Sequence, residues 1–126
     1  MFLRFTITQI DDTSHKPQGV LSAAYGLLDS GDLHLDEWKQ LRELLDWFDA
    51  NLKSPPDDFY ASRAIFWFKS SADENISRIW ELIHLLRTHG HHIEVYKCRS
   101  LGNISYEDKL QVAAYPSDRD SKITVQ

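Results

Sequence analysis

Cys98 is the only cysteine in the 126 residues, so no disulfide can form within the chain and nothing points to an oxidising compartment. Long apolar runs are missing too. No stretch reaches the roughly 20 residues that a bilayer-spanning helix needs. The N-terminus, Met1-Phe2-Leu3-Arg4-Phe5-Thr6-Ile7-Thr8, alternates in polarity and lacks the apolar block of a signal peptide. A cytoplasmic location without membrane contact is therefore expected. Positive charge is in deficit, with 14 Lys and Arg against 19 Asp and Glu for a formal charge of -5. Phosphate-backbone contact needs a basic surface, so nucleic acid is not an expected partner. The chain also has no glycine-rich phosphate loop, no internal repeat and no nucleophile-base arrangement. No cofactor is implied.

What remains is an ordinary globular composition, 42% hydrophobic and 12% aromatic, of a length that makes one domain and is too short for two. Residues 1–116 are read as that domain, and the polar tail 117–126 as frayed. Leu3, Phe5 and Ile7 alternate with Arg4, Thr6 and Thr8, the period of a half-buried strand. Asp11 to Gly19 is a polar loop. Val20, Ala24, Leu27 and Leu28 make one helical stripe ending at Ser30-Gly31. Trp38, Leu41, Leu44, Leu45, Phe48 and Leu52 make another, over about Leu35 to Leu52, with Asp36 and Glu37 at the positive end of the helix dipole. Trp47 lies off that stripe. Pro55-Pro56 then breaks the chain into a loop containing Asp57-Asp58.

The organising unit is strand, helix, strand. Ala64-Ile65-Phe66-Trp67-Phe68 is apolar without alternation, as in a strand covered on both faces. A helix from about Asp73 to Thr88 follows, with Ser71 and Glu74 at capping-box spacing and a core stripe of Ile76, Ile79, Trp80, Ile83 and Leu86. Leu82 and Leu85 widen that stripe, and Gly90 stops the helix. The segment from His91 to Tyr96 returns as a strand. Two parallel strands joined by a helix are expected to form a right-handed crossover. Beyond Asn103, a single strand would place Asp108 on the same face as Ile104, Tyr106, Leu110, Val112 and Ala114, burying a charge at a cost of several kcal/mol. A hairpin turning at Glu107-Asp108-Lys109 removes that conflict and is preferred. The expected architecture is a two-layer α+β domain. A mixed sheet of four to five strands carries three helices, with a C-terminal hairpin.

Three groups of residues have chemical potential. Lys69-Ser70-Ser71, at the strand-helix connection, would offer an anion free N-H groups, a helix dipole and a cation. Capping already accounts for Ser71 and is the preferred reading. His89, His91 and His92, beside His84, would suit zinc or copper. Against this, His91 and His92 are neighbours on a strand and face opposite ways, and histidine is favoured near a helix C-terminus by the dipole alone. Glu107 and Asp108 would serve as acid-base groups if they converged on a pocket; acidic residues in a turn are otherwise solvated turn formers. Cys98, between Lys97 and Arg99, is read as an inert, partly buried thiol. The aromatics exceed the evident needs of a small core, and Trp47, Leu82 and Leu85 suggest an interface unless the helices also pack on one another.

The phrases Ala64-Ile65-Phe66-Trp67-Phe68-Lys69 and Ile104-Ser105-Tyr106-Glu107-Asp108, followed by Gln111-Val112-Ala113-Ala114, resemble a pattern in a small bacterial family of uncharacterised proteins. The similarity runs from about Gly19 to Tyr115. It implies a bacterial or phage source and no particular chemistry. The function expected from the residues is a non-enzymatic protein-binding or regulatory module, with a protein partner or self-association as a dimer. The alternative is an enzyme or binder of a small phosphorylated or carboxylate ligand at Lys69-Ser70-Ser71, with Glu107 or Asp108 as base.

Overall fold

The computed structural model describes residues 1–10, 17–52 and 65–115. Three helices and six strands form an α+β fold: β1 (Phe2–Ile10), β2 (Pro17–Gly19), α1 (Val20–Asp29), α2 (Leu35–Asn51), β3 (Ile65–Lys69), α3 (Asp73–Thr88), β4 (Ile93–Cys98), β5 (Ile104–Glu107) and β6 (Gln111–Ala114). The expected helices appear within one residue of their expected ends. Asp57-Asp58, Ala64 and the tail lie outside the described residues.

β1 organises the sheet. Its residues Phe2 to Ile7 pair with Cys98 to Ile93 of β4 along one edge. On its other edge Phe2 and Leu3 meet Lys69 and Phe68 of β3, while Thr6 meets Gly19 of β2. β6 then pairs with β3, and β5 with β6. β3 and β4 both run antiparallel to β1, so they are parallel to each other but not neighbours. The expected mixed sheet of four to five strands is corrected on this point: among the described residues it has six strands, and all five pairings are antiparallel. The N-terminal strand inserts between the two strands that α3 connects. The short β2, within the segment read as loop, completes the count.

The helices share one face of the sheet. Phe5 and Ile7 of β1, Ile93 and Val95 of β4 and Phe68 of β3 bury against Ala24 and Leu28 of α1, Leu41, Leu45 and Phe48 of α2, and Ile79, Leu82, Ile83 and Leu86 of α3. Leu82 and Leu85 are buried, because α3 packs on both α1 and α2 as well as facing the sheet. They are core, not interface. Trp47 is half-buried; the Arg78 guanidinium lies 4.9 Å from its ring centroid. On the opposite face of the sheet Ile65, Trp67, Val112, Ala114 and Thr6 are also buried. The expectation that β3 is covered on both faces therefore holds, as Trp67 is only 2% exposed.

Gly90 ends α3 as its position suggests. At φ +88 it occupies the left-handed region, which costs a residue with a Cβ about 1–2 kcal/mol. The amide of Gly90 donates to the Arg87 carbonyl and that of His91 to the Leu86 carbonyl, the paired bonds of a Schellman turn.

Candidate functional site

The hairpin forms with Asp108 in its turn, and the turn consumes the Asp108 carboxylate. Oδ1 accepts from the amides of Leu110 (2.8 Å) and Gln111 (3.0 Å). Oδ2 accepts from the Tyr106 hydroxyl (2.8 Å) and from Nε2 of Gln111 (3.1 Å). Partial burial alone would raise the Asp108 pKa; the four donors outweigh it and hold the carboxyl below its ordinary range. The same bond keeps the Tyr106 hydroxyl above its ordinary range, with burial adding to the effect. A carboxylate so fully bonded is a turn clamp and a poor proton acceptor.

Folding brings the strand-helix connection to this hairpin. Lys69 Nζ lies 2.7 Å from Glu107 Oε2, and the Lys69 amide donates to the Leu110 carbonyl. The proposed cation and base are thus neighbours, and they neutralise each other. The expected capping box at Ser71 and Glu74 does not form. The N-cap is Ala72, which makes no side-chain cap bond, because a tight turn closes first: the Ala72 amide donates to Lys69 and the Asp73 amide to Ser71. Ser70 and Ser71 are exposed, and the first turn of α3 holds two acids of its own, Asp73 and Glu74. These satisfy the dipole and repel an anion.

The histidines separate. His89 Nε2 sits 3.0 Å from Glu37 Oε2, turned toward the first turn of α2. Glu37 also receives the amide of His34 and closes a capping box there. The bond from His89, followed by that from His34, lowers the Glu37 pKa below its ordinary 4.5. His91 and His92 stay on the far side of Gly90, where they line an open depression with Arg87, Gly90 and Ile93. Among the described residues, no three His, Cys, Asp or Glu side chains converge to hold a metal ion. Cys98 is half-buried, and its thiol donates to the Ser100 carbonyl.

Two features were not singled out in the sequence. Arg87 looked like an ordinary last-turn cation, but it stacks over Trp80, seven residues earlier on the same helix, at 6.0 Å from the ring centroid. Trp38, assigned to the core stripe of α2, is 42% exposed, and Leu35 beside it is 66% exposed. The stripe's spacing fits Trp38, yet burial begins one turn further on, at Leu41, which is fully buried. Comparison with protein-family models, with curated proteins and with solved structures returned no significant match. The resemblance carried by the β3 and hairpin phrases therefore assigns no family and no source. No helix among the described residues is long and apolar enough to cross a membrane.

Proposed function

We propose that the chain is a non-enzymatic protein-binding module whose contact surface is the outer side of α2, centred on Leu35 and Trp38. The observation that carries this is the exposure of those two large apolar side chains, three positions apart on one helical turn, in a chain whose other helix leucines are buried or half-buried. Exposed aromatic and aliphatic pairs of this kind act as anchors in partner pockets. Over its whole length α2 carries Asp36, Glu37, Glu43, Asp46 and Asp49 against Lys39 and Arg42, so the matching partner has an apolar cleft with a net basic surround. A second copy apposed through this same face would bring acidic helix against acidic helix, which favours a different protein as occupant. The reading is further supported by the hairpin, where the two candidate catalytic carboxylates are engaged in structural bonds.

The alternative, a small phosphorylated or carboxylate ligand at Lys69-Ser70-Ser71, has less support because Lys69 is already paired with Glu107. Site-specific photo-cross-linking tests the main reading. A cross-linker replacing Trp38 is expected to give one dominant protein adduct in cells, weakened by added salt, while one replacing the exposed Glu81 on α3 gives none. Equal labelling from both positions, or adducts only with the chain itself, would count against it.

A further inference from the structure

We propose that the turn from α3 into β4 is an oxyanion site that takes a small phosphate monoester. An open depression of about 450 Å³ lies there, lined by Arg87, Gly90, His91, His92 and Ile93. Among the described residues no carboxylate lines it, in a chain with 19 acids to 14 bases. Every charged or titratable side chain on its wall, among those residues, is a cation or an imidazole.

Arg87 is prepared for this role. Its guanidinium carbon lies over the Trp80 ring, 6.0 Å from the centroid, and Trp80 is itself edge-on to Phe5, with ring centroids 5.5 Å apart. A cation-π contact of this kind uses none of the guanidinium N-H donors in hydrogen bonds, which leaves them for a bidentate oxyanion. Arg42, Arg78 and Lys69 each pair with a carboxylate; Arg87, among the described residues, has an aromatic ring beneath it and no carboxylate beside it. The negative end of the α3 dipole opposes an anion here, an opposition reduced where the carbonyls of Leu85, Leu86 and Arg87 are bonded by the amides of His89, His91 and Gly90. Gly90 leaves the rim open, with nothing within 4 Å of where a Cβ would stand.

The donors define the ligand class. β4 begins only at Ile93, so the strand alternation expected to part His91 and His92 does not apply, and both line the depression. With the Arg87 fork they offer one ring N-H each, a set that suits the several oxygens of a tetrahedral phosphate better than a planar carboxylate. The depression, at about 450 Å³, exceeds the size of phosphate alone and leaves room for an organic part. This site is independent of the α2 surface, since its variants leave Leu35 and Trp38 unchanged.

The test is titration of the full chain with AMP, glycerol phosphate, inorganic phosphate and sodium chloride at matched ionic strength, following the amide resonances of Gly90 and His91. Saturable shifts are expected with the two esters, weaker ones with inorganic phosphate and none specific to chloride. Arg87→Gln should weaken ester binding by about tenfold or more, as for loss of a bidentate charged contact, with Arg87→Lys in between. His91→Gln should weaken it independently in a chain whose far-UV spectrum is unchanged. Equal responses to chloride and the esters, or ester affinity of Arg87→Gln within twofold of the parent, would overturn the proposal.

Discussion

His89 Nε2 stands 3.0 Å from Oε2 of Glu37 across 52 residues of sequence, and this contact fastens the last turn of α3 to the first turn of α2. It holds the turn that carries Leu35 and Trp38 against the body of the fold. Because the bond lowers the Glu37 pKa in the folded state, the stability it contributes is present above the ordinary value of 4.5 and is lost as pH falls through the lowered folded value. His89→Leu should return the Glu37 carboxyl toward its ordinary titration, and carboxyl carbon NMR would show this. An unchanged Glu37 midpoint in that variant would mean that the backbone bond from His34 alone sets it.

The Asp108 clamp makes a second prediction. Asp108→Ala removes the acceptor for two turn amides, for the Tyr106 hydroxyl and for one bond of the buried Gln111 side chain. A cost of about 2–3 kcal/mol is expected from lost charge-assisted bonds and poorly satisfied donors, measured by urea unfolding. The Asp108 pKa is depressed on folding, so its contribution exists above the ordinary 3.8 and fades as pH falls through the folded value. The acid limb of the stability profile should therefore flatten in the variant, and the Tyr106 hydroxyl should titrate at lower pH.

Thr6 supplies a test in the opposite direction. Its side chain is fully buried in the centre of β1, and its Oγ1 has no hydrogen-bond partner among the described residues. Thr6→Val keeps the shape and the β-branched preference while removing an unsatisfied hydroxyl. Stability should rise by about 1 kcal/mol, seen as a higher urea midpoint at unchanged slope.

Local order was largely legible in the sequence. The spacing of Ile79, Ile83 and Leu86 and the stop at Gly90 placed α3, and the parity of Asp108 among apolar residues placed the hairpin, because both patterns are set by neighbours in sequence. The insertion of β1 between β3 and β4 was not legible, since no periodicity within Phe2 to Ile10 says which edges it will meet. Ser71 failed as a cap for a related reason: the Lys69–Ala72 turn, held by bonds to Leu110 and Met1, puts the N-cap at Ala72, while α3 begins at Asp73 as expected. The candidate surfaces show the same division. The histidines were visible as a group, but only the fold sends His89 to Glu37 and leaves His91 and His92 with Arg87. Trp38 has core spacing and misleads, because periodicity identifies a face of a helix without saying how far along its length the core extends.

The α2 surface itself is tested most directly by comparing the parent chain with the Leu35→Ser, Trp38→Ser double variant for binding to the purified protein captured at position 38. Both positions are exposed, so the variant should keep its stability within about 0.5 kcal/mol. Titration calorimetry should show affinity reduced by about a hundredfold, the loss of two anchors of about 1–2 kcal/mol each. A variant that folds and binds as tightly as the parent would contradict the account.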